Sequence, residues 1–315
     1  MIVMATNLTY VLASLLLDPR ANYLQQRPPR SPQEIARALA PYNLDPNTPL
    51  LERWWRWITG VVGHWNWGTS PVGDSVNIQI AARVSVSAQL VLFSLILSTV
   101  IGVSLGVYTA SRQYRLADRF HQALSVIALN IPVVVAALAA VVLAIALKQR
   151  LGTTLLYVAG TQSPTVSGFW PLLIDRIQHL VLPTIVLTAT SYAGNHLLQR
   201  TLLLDTINSD YVRMARAKGL TRRQAIRRHG LRTCLIPVAT YVAFAMPAVF
   251  TGSVIIEKIF AWQGMGDYFM QTISNNDVHG TVAVAAFGAL MTAVGAILAD
   301  IVAVALDPRV RASRA

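Results

Sequence analysis

Charge is scarce in this sequence. Asp, Glu, Lys and Arg make up 13% of its 315 residues, about half the share typical of a soluble domain, while 54% are hydrophobic and the mean hydropathy is +0.49. In a chain long enough for two soluble domains, such a surplus faces lipid rather than one large core. Cysteine is nearly absent: the single Cys234 excludes an intrachain disulfide and a cysteine-cluster metal site, and inside an apolar run it reads as a small core residue. Lysine is rare too. Lys148, Lys218 and Lys258 are followed by Gln149, Gly219 and Ile259, so no P-loop exists here. The six histidines (64, 121, 179, 196, 229, 279) show no HExxH or paired spacing, which argues against a metal site, and no Ser stands in a G-x-S-x-G elbow. The chain is therefore not expected to be an enzyme, nor to hold a cofactor.

What the chain has in quantity is charge-free apolar sequence. A spanning helix needs about 20 predominantly apolar residues, and the intervals 84–111, 120–147, 177–199, 233–256 and 278–299 supply five, the last continuing through Asp300 to residue 306. Residues 1–17 are apolar but short for a crossing. They have no charged leader and no convincing cleavage site, so they are expected to be the second half of a first helix that begins upstream. Residues 151–174 are also charge-free, but Gly152, Gly160, Pro164, Gly168 and Pro171 interrupt them. Backbone groups freed by such breakers find no partner in lipid, which predicts a loop outside the hydrocarbon.

An all-α polytopic protein with six crossings follows, and the loops orient it. With the start inside, the segments 112–119, 200–232 and 307–315 hold fifteen Lys and Arg, against four in the short outer loops. The long segment 18–83 is largely exempt from the positive-inside rule. It is expected to form an external helical subdomain. Ser31, Pro32 and Glu34 predict a capped helix start, and a second helix is expected near Pro49. The tryptophans of "LLERWWRWI", with Trp65 and Trp67, suit either an interfacial belt or the grip of a partner.

The loop 200–232 contains "DYVRMARAKGLTRRQAIRRHGL", with seven Lys and Arg against Asp210 alone. Ser209 is placed to cap one short helix and Gly219 to end it in a left-handed turn. Thr221 and Gln224 form a capping box for a second helix, with Gly230 as its terminator. Positive-inside bias explains much of the charge but not the caps. Nucleic acid is excluded because Tyr211 is the only aromatic in the stretch. Amphipathic lipid contact suits part of the second helix but does not explain the Gly-punctuated pair, which reads as a stiff bump able to pass movement to a docked partner. Within the membrane, Asn130-Ile131-Pro132 predicts a kinked third helix, suited equally to lining a solute path and to packing. Tyr192 and Tyr241 are further candidates for such a path. Gly102 and Gly106 suit close helix packing, and Asp300 is expected to snorkel to the inner interface.

The stretch 210–238, with "HLVLPTIVL" (179–187), "IIEKIFAWQGMGDYF" (255–269), "LDPRVR" (306–311), "NLDPNTPLLERWWRWI" and "WGTS", closely resembles the permease subunits of dipeptide, oligopeptide and nickel ABC importers. The loop resembles that family's cytoplasmic EAA loop, with Arg213, Met214 and Ala215 where the general pattern has Glu-Ala-Ala. Met214, and Trp65-Asn66 in place of a Gly-Asp, depart from the family. The resemblance implies the six-helix type I importer permease fold in a bacterial inner membrane. It also implies a homologous second permease, two cytosolic ATPases that bind ATP and magnesium, and an external substrate-binding protein. ATPase contact is expected at Arg213, Met214, Ala215, Arg216, Lys218, Gly219 and Leu220. Ala215 and Gly219 would let the surfaces approach, and Arg216 and Lys218 would supply charge. Peptides are the expected cargo, with nickel or another small solute as the alternative. An ion-coupled secondary transporter is the competing reading, but it calls for paired buried acids in mid-membrane, and the helices offer only Asp300 near an end.

Overall fold

The computed structural model describes residues 2–24 and 30–306. The expected tail 307–315 lies outside the described residues. The architecture is helical, and among the described residues the only β contact is an isolated bridge between Thr69 and Ser75. The helices run α1 (Ile2–Leu16), α2 (Ala21–Leu24), α3 (Pro32–Leu39), α4 (Leu50–His64), α5 (Val76–Ser111), α6 (Leu116–Asn130), α7 (Val133–Leu151), α8 (Phe169–Ile207), α9 (Asp210–Ala217) and α10 (Arg222–Ala225). A π-turn (Ile226–Gly230) leads into α11 (Leu231–Gly252), α12 (Val254–Ile259), α13 (Met265–Ser274) and α14 (Val278–Leu306).

Five described stretches are long and apolar enough to cross a membrane: 2–24, 76–111, 133–151, 169–207 and 278–305. The remaining expected crossing, the fifth in chain order, is α11, 22 residues long, or about 33 Å at the α-helical rise, with an apolar stretch over Thr233–Ala245. Two helices overrun their charge-free intervals. α5 has 36 residues and α8 has 39, both well beyond the ~20 that span the hydrocarbon. A charged residue marks the border of the hydrocarbon and leaves the helical ladder intact, so Arg83 and Arg200 lie within helices. For the same reason the interval 151–174 is only partly a loop. α8 resumes at Phe169 with Pro171 in its first turn, where a missing N–H costs nothing.

The third crossing departs further from expectation, because the chain breaks at Asn130-Ile131-Pro132 instead of kinking. Pro132 disfavours the helical region for the residue before it. Ile131 is accordingly extended (φ −81°, ψ 118°), α6 ends at Asn130, and Pro132 caps the start of α7.

Contacts group the described residues into two compact units: the chain up to Ala88 with Phe250–Met291, and Gln89–Val249 with the chain from Thr292. In the first unit, residues 18–83 share a core with α1 and the head of α14. Tyr10 and Ala13 meet Ile35, Leu39, Leu44, Trp57, Val278 and Val282, and the rings of Tyr10 and Trp57 stack at 4.6 Å. The predicted capping box of α3 is present, with Ser31 and Glu34 exchanging bonds and Pro32 inside the first turn. The tryptophans divide. Trp57 is buried and donates to the Trp67 carbonyl, Trp54 donates to Asn7, and Trp55 and Trp65 stay exposed.

In the second unit, α8 is the central element. Gly102 and Gly106 of α5 lie against it so closely that a Cβ at Gly102 would stand 2.5 Å from the Asn195 Cβ, and one at Gly106 would stand 2.7 Å from the Gln199 Cβ. The pairing of 102 with 195 and 106 with 199 makes α5 and α8 parallel. α6 is antiparallel to α8, since Asp118 meets Arg200 while Ser125 meets His196. Parallel second and fourth crossings with an antiparallel third are what alternating passage through a membrane requires.

Candidate functional site

The basic loop between α8 and α11 folds as a compact bump with its own small apolar core. Val212, Ala215 and Ala225 are buried together, with Leu220 packed on them. α9 supplies two of these on one face, at i and i+3. Its opposite face carries Arg213, Met214 and Arg216 into solvent, followed by exposed Lys218 and Gly219.

The end of α9 is a Schellman turn. The Leu220 N–H donates to the Ala215 carbonyl at 3.3 Å and the Gly219 N–H donates to the Arg216 carbonyl at 3.0 Å, while Gly219 takes φ +93°. This arrangement satisfies two orphan carbonyls and needs a left-handed residue between them. The Leu220–Ala215 contact in the core is the apolar pairing that accompanies such a turn. Thr221 then accepts from the Gln224 N–H, while Gln224 reaches back to the Thr221 N–H at 3.0 Å.

Two expectations for this loop fail. Ser209 occupies the cap position of α9, but its hydroxyl donates backward to the Thr206 carbonyl at 2.7 Å and accepts nothing from the helix. Gly230 does not end the second helix, because the chain passes through the π-turn and continues helically into α11. Gly230 is there for closeness instead: a Cβ would sit 3.3 Å from Thr206 Cγ2.

Of the seven residues expected at a partner contact, the structure presents five on the outside: Arg213, Met214, Arg216, Lys218 and Gly219. Ala215 is 6% exposed and Leu220 is half-buried, so both hold the bump together and do not face outward. Among the described residues a Cβ at Gly219 would meet nothing within 4 Å. Arg213 reaches Asp210 at 3.7 Å, with both side chains largely exposed, a contact worth little in water.

The four candidates for a solute path lie on α6, in the α6–α7 break, on α8 and on α11. Asn130 turns its amide back to the Val126 carbonyl at 2.7 Å, and Pro132 sits in the α6–α7 break. Tyr192 is half-buried on α8. Tyr241 brings its hydroxyl within 3.7 Å of a Cβ position at Gly194, which places it against the same helix.

Polar residues that sequence reasoning passed over tie the helices together. Asp118 and Arg200 form a bidentate pair, with Nε to Oδ1 at 2.7 Å and Nη2 to Oδ2 at 2.8 Å. The Arg200 guanidinium holds the Asp118 carboxyl below the usual carboxylate range. His196, fully buried, lies between Ser125 (2.7 Å) and Thr109 (3.0 Å). Thr109 donates to the Leu105 carbonyl, so it accepts from Nε2–H and Ser125 donates to Nδ1. In the other unit, buried Glu257 accepts from Ser87 (2.6 Å), Ser253 (2.8 Å) and the Asp267 N–H (2.9 Å). Cys234 is a buried packing residue, with its sulfur 3.0 Å from Thr206 Oγ1.

Residues 102–312 match the family described as binding-protein-dependent transport system inner membrane component. Among curated relatives, the oligopeptide transport system permease protein OppB of Mycobacterium tuberculosis (strain ATCC 25618 / H37Rv) is 39% identical over 99% of this chain and 96% of its own length. The oligopeptide permease protein AppB of Bacillus subtilis (strain 168) is 34% identical over 84% of this chain and 81% of its own. The dipeptide permease protein DppB of Lactococcus lactis subsp. cremoris (strain MG1363) is 31% identical over 90% and 88%.

Proposed function

This chain belongs to the family of binding-protein-dependent transport system inner membrane components, and from that premise we propose how it works and what it carries. It is an ABC importer permease subunit with the all-helical type I permease fold, integral to a membrane. Its family implies ATPase and substrate-binding partners. The partner set we propose is a second homologous permease, two cytosolic ATPases and one external binding protein, in a bacterial inner membrane. ATP and magnesium belong to the ATPases, since this chain has no P-loop. The cargo is a peptide, as the names of the relatives from three organisms suggest.

The observation that carries the mechanism is the bump between α8 and α11. Its Thr221–Gln224 capping box, Schellman turn and internal core make it stiff, and both ends continue into spanning helices. α8 precedes it within two residues, and the π-turn joins it directly to α11. A push on Arg213, Met214, Arg216, Lys218 and Gly219 is therefore delivered to two membrane helices as rigid levers. ATP binding would draw two such bumps together and rock the helices from inward-open to outward-open. The binding protein would then release peptide into the path, and hydrolysis would reset it. Basic side chains suit an acidic groove on the ATPase, and Gly219 lets that surface approach the backbone. Ala215 and Leu220 support the contact from inside the bump. Asn130, Pro132, Tyr192 and Tyr241 are proposed to border the peptide path.

The single native thiol is buried, which leaves a clean background for labelling. In a Lys218→Cys variant of the assembled transporter, a membrane-impermeant maleimide should react in inverted vesicles but not in intact cells, and the new thiol should crosslink to the ATPase. Labelling from intact cells, or no crosslink under turnover, would refute the docking assignment.

A further inference from the structure

The seven cations of the basic stretch do not share one face. Arg213, Arg216 and Lys218 stand on the outer side of the bump, whereas Arg222, Arg223 and Arg227 turn into a cleft of about 690 Å³. The opposite wall of that cleft is the end of α5 and the residues after it: Ser104, Val107, Tyr108, Ser111, Arg112 and Arg115. Five arginines thus line one concavity, and among the described residues no acid lines it. Among the described residues, the carboxylate ion pairs involve other cations. Positive-inside bias asks only that cations lie on one side of the membrane. It does not gather them from two separate loops around one hollow.

We infer that this cleft binds the phosphate headgroup of an anionic phospholipid, with its acyl chains running beside the last turns of α5. Three features favour a lipid over a soluble anion. Ser104, Val107, Tyr108 and Ser111 follow i, i+3, i+4, i+7 on α5, so one face of a membrane-spanning helix forms the wall. The arginines then lie where that span ends, at the depth of lipid phosphates. Val107, Ile226 and Leu231 add apolar lining, which a free phosphate does not use. Tyr108 has the amphipathic ring of an interfacial residue and carries the Arg112 guanidinium at 4.1 Å from its centroid. That stacking leaves the guanidinium edges free to donate to phosphate oxygens. Basic pockets between spanning helices are a recognised form of headgroup site. The face proposed for the ATPase is on α9, so a lipid here and a motor there do not compete.

Lipid at this position would brace α5 against the start of α11, the helix that receives the motion of the bump. The test is native mass spectrometry of the assembled transporter in mild detergent, titrated with phosphatidylglycerol or phosphatidylcholine of matched acyl chains. Wild type should hold phosphatidylglycerol at least tenfold more tightly. The triple variant R112Q/R223Q/R227Q should lose about a hundredfold of that affinity, from the attraction each basic residue near the surface supplies. The same three positions changed to Lys should keep most of it, since the charge remains, and R30Q/R37Q/R150Q should behave as wild type. Three results would overturn the proposal: no preference for the anionic lipid, a preference unchanged in the Gln triple variant, or inorganic phosphate displacing the lipid at equal concentration. Binding that emerges only once the ATPase is stripped away would assign the cleft to that protein and overturn it too. None of these outcomes bears on whether Lys218→Cys crosslinks, so the two readings fail separately.

Discussion

Gly219 is the position where folding and docking make different demands, and a pair of substitutions separates them. Its φ of +93° is costly for a residue with a Cβ, about 1–2 kcal/mol for Ala and less for Asn, whose short polar side chain tolerates left-handed backbone. If the backbone relaxes to escape the strain, the two turn hydrogen bonds from Gly219 and Leu220 are lost, at about 1 kcal/mol each. Either route costs the bump about 2 kcal/mol at most. Among the described residues nothing within 4 Å obstructs the new Cβ, so they add no packing penalty. Gly219→Asn should therefore insert and accumulate like wild type, with Gly219→Ala slightly weaker. Against a docked ATPase the order changes, because any side chain enters the contact. Both variants should lower ATPase stimulation and peptide uptake by tenfold or more, and Gly219→Asp should lower them further by weakening the basic surface. The assay is reconstituted transporter in vesicles, with uptake and ATP hydrolysis measured at matched protein levels. If Asn restores full coupling while Ala does not, backbone strain alone explains the glycine. The argument that Gly219 sits in the motor contact would then be wrong.

Asp118→Asn should destabilise the second unit by about 3 kcal/mol, because it strands the Arg200 guanidinium in a site where both side chains are largely buried. Thermal unfolding in detergent should show a lower midpoint, and an unchanged midpoint would mean that solvent already screens the pair. Asp277 gives a pH signature. Burial pushes its carboxyl from an ordinary value near 3.8 up to about 6, although it accepts from the Gly280 N–H at 2.9 Å. A raised value means the folded state holds its proton more tightly. The contribution is therefore complete below about pH 4 and is lost as the pH rises through 6, to a total of about 3 kcal/mol. The wild-type melting midpoint should gain on an Asp277→Asn variant as the pH falls from 7.5 to 4.5, and parallel curves would refute the assignment.

Sequence alone determined what depends on composition and on local backbone chemistry. Lipid excludes charge and unpaired backbone groups, so the crossings were legible as charge-free runs and the Gly- and Pro-rich interval 151–174 as a loop, although from Phe169 on it proved helical. Capping boxes at Ser31 and Thr221 and the left-handed turn at Gly219 were equally legible, since each is set by residues within three or four positions of one another. Local pattern misjudged what neighbouring helices decide. Ser209 lost its capping role to the Thr206 carbonyl on the incoming helix, and Gly230 is small because Thr206 and Val212 press on it. Ala215 reads as a small residue for a partner to approach, yet it faces inward because Val212 and Ala225 need a third apolar neighbour. Only tertiary structure paired Asp118 with Arg200, set His196 between Ser125 and Thr109, and gathered arginines 112 and 222 around one cleft. Those partners are 71 to 110 positions apart, and no local pattern encodes contacts that exist only once helices lie side by side.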